Sequence, residues 1–296
     1  MRVTGMMQST QMLRNLRNTN AGIVNWQNQL ATGQKIHRPG DDPVGIGYQM
    51  RYDTELARSD EFLENARTGT GWLNTMDSNL QQATEVLQRA KVLTQQALNG
   101  TTPEDARKQV ASEILQLKEQ MVAIANSSYD GRYMFNGQKT DVQPYSSATA
   151  ATDETDTGMY YLNVSPFVTV PVSITGEQIF GASGSPDNVF LALDEIYNNL
   201  IANDVTALSG GLTKIDAAAD RISLNLAEVG ARTNRFELVE NRLLDEQVGL
   251  KQLRAQVADV DMPEALIQLQ TRENIMQASL ATGARIMQVS LIDFIR

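Results

Sequence analysis

Apolar residues recur at alternating steps of three and four along much of the chain. The longest stretch of this pattern runs from Phe62 to Ala97. Its positions are Phe62, Ala66, Gly69, Leu73, Met76, Leu80, Ala83, Leu87, Ala90, Thr94 and Ala97. Because these steps place one apolar stripe along a helix, they predict a long helix packed along a seam.

Two further segments repeat the pattern and predict partners for this helix. The first segment has its seam at Val110, Ile114, Leu117, Met121 and Ile124. The second has its seam at Leu212, Ile215, Ala219, Ile222, Leu226, Val229, Thr233 and Phe236. At about 1.5 Å per residue, such helices extend over several tens of ångströms. The predicted fold is therefore mainly α, an elongated rod of long antiparallel helices.

Between the helical halves the apolar period changes to two, which is typical of strands. The alternating positions are Tyr160, Leu162 and Val164, and then Val168, Val170, Val172 and Ile174. With the preceding loop they predict a small β-rich inserted domain at residues 141–186. Just upstream, Asp-Gly and Asn-Gly turns within residues 127–140 predict a β-hairpin.

Both chain ends carry interrupted heptads. The apolar positions are Met6, Leu13, Leu16, Ile23, Leu30, Leu266, Leu269, Met276, Leu280, Met287, Leu291 and Phe294. Ser9, Asn20, Glu273 and Gly283 interrupt them, and helices interrupted in this way are marginal alone. Either the ends are frayed helices, or they pair as a coiled coil and finish folding against other subunits. The second interpretation makes the twelve apolar positions a candidate assembly interface.

These patterns divide the chain into three predicted domains. Residues 1–41 with 260–296 form a terminal coiled-coil domain for assembly. Residues 42–140 with 187–259 form the helical rod with its β-hairpin. Residues 141–186 form the β-rich outer domain.

The stretch from Leu30 to Arg51 concentrates charged residues, glycines and the single histidine of the chain. Its core, Arg38, Pro39, Asp41, Asp42 and Pro43, is typical of a helix start, since an aspartate can cap free N–H groups and proline needs none. The paired carboxylates are also candidates for acid–base or metal chemistry, but adjacent residues rarely converge on one ligand. No catalytic, cofactor or metal site is predicted.

Composition and charge restrict the class of protein. The net charge is -10, there is no cysteine, and only 6% of residues are aromatic. Disulfides and thiolate metal sites are thereby excluded. Residues 1–40 hold five basic residues and no acid, but these are spread out, which disfavours nucleic-acid binding. No apolar run has the length of a membrane span, and no secretory signal is recognisable.

Four segments resemble the flagellin family. "LATGQKIHRPGDDPVG" resembles its amino-terminal signature, and "ANSSYDGRYMFNG" is similar to the hairpin of its hook-associated members. "EVGARTNRFE" and the tail "ASLATGARIMQVSLIDFIR" are similar to its carboxy-terminal part. Arg38 and Pro39 before the paired aspartates favour the hook-associated members over filament flagellin.

The resemblance implies a structural subunit of the bacterial flagellum that joins the hook to the filament. The implied partners are the first hook-associated protein, flagellin, further copies of this chain in a ring, a cytosolic export chaperone and the flagellar type III export apparatus. It implies an extracellular location reached without a cleaved signal peptide. Filament flagellin is the nearest alternative, and a secreted needle-tip or adhesin-like coiled-coil protein is a more distant one.

Overall fold

The computed structural model describes residues 5–99 and 103–294, with side chains described at residues 7–99 and 103–285. Within these residues the chain is mainly helical. The helices are α1 (Gly5–Thr32), α2 (Pro43–Leu98), α3 (Glu104–Ala125), α4 (Gly176–Phe180), α5 (Val189–Ile201), α6 (Val205–Ala258) and α7 (Met262–Phe294). The strands are β1 (Ser128–Tyr129), β2 (Arg132–Tyr133), β3 (Tyr161–Ser165) and β4 (Val168–Pro171). The mainly α fold with small β elements predicted from the sequence is confirmed.

The described residues fall into two compact units. The terminal unit comprises the described parts of residues 1–58 and 247–296, and the central unit comprises those of residues 59–246. Helices α2 and α6 each contribute residues to both units. The three-domain division given above stays a prediction.

The core of the central unit follows the heptad seam of α2. Ala66, Leu73, Met76, Leu80 and Leu87 are all buried there, as the step pattern predicts. Helices α3, α5 and α6 contribute to the same cluster, whose members include Ile114, Met121, Leu193, Ile196, Ile215, Ile222, Val229 and Phe236. One continuous apolar core therefore holds the long helices of this unit together.

Two antiparallel hairpins lie in the central unit. Strands β1 and β2 are joined through Asp130 and Gly131, which both have positive φ, as a type I′ turn requires. The pair confirms the hairpin predicted from the Asp-Gly signal. Strands β3 and β4 pair with an irregularity between Asn163 and Ser165. Leu162, Val164 and Val170 point into the core from this second hairpin.

Gly69 lies where α2 passes close to α6. A Cβ built on Gly69 would lie 2.5 Å from Cε1 of Phe236, whereas a Cβ on Gly230 of α6 would meet nothing within 4 Å. Helices α2 and α6 are therefore in close contact at Gly69. Its neighbour Gly71 instead faces the Tyr129 ring of the first hairpin.

This difference predicts opposite effects for two Gly-to-Ala substitutions. Alanine favours a helix over glycine by roughly 0.5–1 kcal/mol, so we expect Gly230→Ala to stabilise the central unit by about that amount. Gly69→Ala is expected to destabilise it, because overpacking costs about 1–3 kcal/mol and exceeds the helix gain. Urea unfolding of both variants measures the signs. Stabilisation by Gly69→Ala would show that the Phe236 ring moves away freely.

Candidate assembly interface

Helices α1 and α7 of the terminal unit lie antiparallel and in contact. Gln34, just beyond α1, forms a β-bridge with Asp259, just before α7. Farther along the pair, Arg272 covers Gly22, and Met12 covers Gly283. Positions on α1 therefore descend as their partners on α7 rise, which is the order of an antiparallel pair. Supercoiling of the pair stays a prediction.

Small residues let the two helices approach. A Cβ on Gly22 would overlap the Arg272 guanidinium, and a Cβ on Gly283 would overlap the Met12 side chain. The contact between α1 and α7 buries few residues. Among the residues of α1 and α7 whose burial is described, only Gln29, Ala265 and Gly283 are buried. No large apolar side chain in that set is fully removed from water, so the pair gains little hydrophobic stabilisation.

The predicted interface residues divide into two groups within this pair. The first group is half-buried and comprises Leu16, Ile23, Leu30, Leu269 and Met276. The second group is exposed: Leu13, Leu266 and Leu280 are 54%, 55% and 53% accessible. The side chains of Met6, Met287, Leu291 and Phe294 lie outside the described residues. The interrupted heptads of the two chain ends thus include both half-buried and exposed apolar positions.

Further apolar side chains extend the uncovered surface of the terminal unit. Met7, Val24, Ile267 and Ile275 are large and exposed. A groove of about 770 Å³ runs along the pair, lined by Met7, Gln8, Gln11, Met12, Asn15, Ile275, Ala278, Ser279 and Thr282. Large exposed apolar side chains along a helix pair are typical of a protein interaction site.

The predicted helix-start residues build the turn between α1 and α2. Asp41 Oδ2 accepts hydrogen bonds from the backbone N–H groups of His37 and Arg38, at 3.2 and 3.0 Å. Asp42 Oδ1 accepts from Val44 and Gly45, at 3.1 and 2.9 Å. Helix α2 begins at Pro43, immediately after Asp42. Both carboxylates are therefore engaged with backbone donors of this turn.

The hydrogen bonds of Asp42 predict a stability cost for its removal. Asp42→Ala leaves the Val44 and Gly45 N–H groups without an acceptor, and loss of such a cap costs about 0.5–2 kcal/mol. We expect a lower thermal midpoint and faster hydrogen exchange at these two amides. Asp42→Asn is the matched control, since asparagine caps nearly as well. Equal midpoints for wild type and Asp42→Ala would contradict the capping role.

The described residues do not indicate metal binding or a membrane-spanning helix. They contain no group of three or more His, Cys, Asp or Glu side chains placed to hold a metal ion. His37 Nε2 lies 2.7 Å from the Thr32 hydroxyl, within the turn that follows α1. Within the described part of the chain, no helix is both long and apolar enough to cross a membrane.

Both ends of the chain match models of one family. The model of the bacterial flagellin N-terminal helical region matches residues 3–140, and that of the C-terminal helical region matches residues 212–295. The chain belongs to the flagellin family. The resemblance inferred from the four sequence segments is thereby confirmed.

Individual relatives include both junction and filament proteins. Flagellar hook-associated protein 3 of Salmonella typhimurium is 25% identical over the whole of both chains. The flagellar filament 30.7 kDa core protein of Treponema maltophilum is 24% identical, covering 87% of this chain and 86% of its own. The flagellar junction protein of Legionella pneumophila has the same fold, with a TM-score of 0.56 at 17% identity, over 71% of this chain and 100% of that one.

Sequence reasoning missed several residues that form the contact between α1 and α7. Met12, Gly22 and Arg272 lie in this contact, although none belongs to the predicted apolar set. Gln29 is buried in the same unit and is polar. Only the recurrence of small residues, Gly22 on α1 and Gly283 on α7, signalled a close approach between these helices.

Proposed function

We propose that this chain is a structural junction subunit of the bacterial flagellum, which joins the hook, through the first hook-associated protein, to the flagellin filament. The observation that carries the proposal is the uncovered apolar surface of the terminal unit, including Leu13, Leu266 and Leu280. These residues lie inside the regions matched by the flagellin family models. A pair of helices that leaves this surface exposed in one chain is suited to burying it against neighbouring subunits.

Filament flagellin is the second candidate function. The similarity to the filament core protein of Treponema maltophilum supports it. The full-length similarity to hook-associated protein 3 supports the junction role. The two roles differ in self-assembly, since a filament subunit polymerises with itself into long filaments and a junction subunit stops at a short ring.

The remaining features of the proposal follow from the junction role. Copies of the chain would contact one another in a ring, with the hook side on one face and flagellin on the other. Before assembly, a cytosolic export chaperone would hold the chain, and the flagellar type III export apparatus would deliver it outside the cell without a cleaved signal peptide. The chain would act without catalysis, a cofactor or insertion into a membrane.

Electron microscopy of a deletion strain tests the proposal. We expect hooks that end in the first hook-associated protein and carry no filament, while flagellin accumulates in the medium. Restoring the wild-type gene should restore attached filaments. Normal filaments on the deletion strain would refute the junction role. If the deletion strain instead has intact hooks but exports no subunits that can polymerise into filaments, the chain would be filament flagellin.

A further inference from the structure

Two dipeptides that end in glycine lie close together in the segment after α3, and their surroundings differ. Asp130–Gly131 forms the turn between β1 and β2, and Asn136–Gly137 lies just beyond β2. In dipeptides of this kind the glycine nitrogen can attack the preceding side-chain carboxyl or amide carbon, because glycine has no Cβ to hinder the approach. Each dipeptide is therefore a chemical candidate for a spontaneous backbone rearrangement.

The rearrangement at Asp130 needs no reagent other than water. The Gly131 nitrogen forms a bond to Cγ of Asp130, and its hydrogen leaves as water with the hydroxyl group of the protonated carboxyl. The resulting cyclic imide then takes up water at one of its two carbonyl carbons. Cleavage at Cγ restores aspartate, whereas cleavage at the backbone carbonyl carbon gives isoaspartate, in which the main chain runs through the side chain. The mass of the chain is unchanged.

Both reacting groups of the first dipeptide are accessible. Asp130 and Gly131 are exposed, and a Cβ built on Gly131 would meet nothing within 4 Å. No ion pair or side-chain hydrogen bond engages the Asp130 carboxylate within the described part of the chain. Asp130 also has a φ of 51°, in the left-handed region that residues other than glycine adopt infrequently. Neither packing nor a polar partner therefore holds this side chain away from Gly131.

Attack requires the turn to open, because a type I′ turn fixes the backbone angles of both central residues. The hairpin is closed by only two residue pairs, Ser128 with Tyr133 and Tyr129 with Arg132. Two-stranded hairpins have little stability of their own in water. Short exposed segments of this kind open locally at low free energy, without unfolding of the rest of the domain. The reactive conformation is therefore reached from the folded chain.

Asn136–Gly137 is the more reactive dipeptide in chemical terms, since its amide loses ammonia and needs no protonated carboxyl, but it is enclosed. Asn136 is 4% exposed. Its Nδ2 donates to the Val142 carbonyl oxygen at 3.0 Å, and its Oδ1 accepts from the Asp156 N–H at 3.1 Å. Gly137 is buried as well, and a Cβ on it would overlap the Asp156 carbonyl oxygen. Folding therefore reverses the chemical order of the two dipeptides.

We propose that Asp130–Gly131 is a site of spontaneous isoaspartate formation in the folded chain, and that Asn136–Gly137 is protected from the corresponding deamidation. The proposal concerns the isolated chain and does not depend on the proposed function.

The modification changes the structure around the hairpin. Isoaspartate adds a methylene group to the main chain, which is incompatible with the two-residue type I′ turn that closes β1 against β2. The Tyr129 ring meets Trp72 edge-on in the unmodified chain, with ring centroids 5.9 Å apart. The modified hairpin opens, and Tyr129 leaves this contact. Trp72 is 2% exposed, so the loss of its cover is measurable by fluorescence.

Incubation of the purified full-length chain for several weeks at neutral pH and physiological temperature tests the site. Trypsin separates the two dipeptides into adjacent peptides, residues 119–132 and 133–139. Electron-transfer fragmentation locates isoaspartate in the first peptide, and methyl transfer from S-adenosylmethionine by an isoaspartyl methyltransferase quantifies it. Deamidation changes the mass of the second peptide. We expect isoaspartate at Asp130 to exceed deamidation at Asn136 by about tenfold, because the buried dipeptide opens far less often.

Two controls separate the effect of the fold from that of the sequence. In urea both dipeptides are exposed, and Asn136–Gly137 should become the faster of the two. Asp130→Asn keeps a residue that type I′ turns favour, so the hairpin should form. This variant should yield isoaspartate faster than the wild type, since it reacts through loss of ammonia.

Fluorescence tests the structural consequence. Trp26→Phe leaves Trp72 as the single tryptophan. In this background the modified fraction, separated by chromatography under native conditions, should show Trp72 emission at a longer wavelength than the unmodified fraction. Absence of isoaspartate at Asp130 in the folded chain, or equal reaction of Asn136, would overturn the site. Unchanged Trp72 emission in the modified fraction would overturn the opening of the hairpin.

Discussion

Phe180→Ala is expected to lower the free energy of unfolding of the central unit by about 3–5 kcal/mol, as for other buried phenylalanines replaced by alanine. Phe180 is the last residue of α4 and is fully buried. Because domains are typically stable by only about 5–15 kcal/mol, a loss of this size removes a large part of the total.

The expected loss is large because Phe180 lies at the centre of an aromatic cluster. Its ring centroid is 5.5 Å from Phe135, 5.7 Å from Tyr145 and 5.5 Å from Phe190. The first two contacts are edge-to-face, an arrangement that contributes beyond the buried area. Burial also raises the pKa of the Tyr145 hydroxyl, which therefore stays neutral within this cluster.

Phe167→Ala provides a matched control for this measurement. Phe167 connects β3 and β4 and is 98% exposed, so its removal should change stability by less than about 0.5 kcal/mol. Urea unfolding followed by fluorescence measures both variants. The chain has two tryptophans, and replacing Trp26 by phenylalanine leaves Trp72 of the central unit as the single reporter. A loss below about 1 kcal/mol for Phe180→Ala would show that residues 141–186 contribute little to this core.

The cluster shows what period-two alternation can and cannot predict. Leu162, Val164 and Val170 alternate as a strand requires, and the paired strands β3 and β4 are present. The pattern does not say what covers the apolar face of such a hairpin. In the structure these side chains join the same cluster as the α2 and α5 residues. The position of residues 141–186 in an assembled flagellum stays a prediction.

A helix is easier to predict from the sequence when its apolar seam is long. The seam of α2 extends over many turns, and the residues that it places inside are buried. Helix α5 was not predicted, because its thirteen residues include too few turns to separate a helical period from a short apolar run. Asn188 caps it by accepting from Phe190 and Leu191, a signal that is visible only once the helix is known. Helix α4 is shorter still, with five residues.

The candidate interface illustrates a second limit. A heptad pattern identifies which residues of α1 and α7 are apolar, but the partner that covers each one depends on the rotation of the helices about their axes. Leu16 and Leu13 are three residues apart, yet the first is half-buried and the second exposed. A cavity beside the start of α7 is lined by Gln29 and by residues 259–264, which are far apart in the sequence and carry no motif.

Removal of residues 260–296 is expected to abolish filament attachment while leaving the central unit folded. The deletion takes away α7, and with it Leu266 and Leu280 of the uncovered apolar surface. None of the deleted residues belongs to the central unit. Its unfolding free energy, followed through Trp72, should therefore stay within about 0.5 kcal/mol of the wild-type value.

Two controls ensure that loss of attachment reflects assembly. The truncated chain should appear in the culture medium at the wild-type level, which excludes a failure of export. The full-length double variant Leu266→Ser with Leu280→Ser should also impair attachment, since it removes apolar surface without shortening the chain. Normal attachment with either variant would show that the terminal unit is not the assembly interface.

Hydrogen exchange on the purified monomer distinguishes two origins of the assembly energy. Ordering a residue costs about 1–2 kcal/mol, and the described side chains of α1 and α7 bury little apolar surface to offset it. We therefore expect weak protection in both helices and strong protection along the buried seam of α2 in the central unit. Assembly would then complete the folding of the terminal helices, as in other coupled folding and binding. Strong protection across residues 5–30 and 266–294 of the monomer would instead mean that preformed helices associate as rigid bodies.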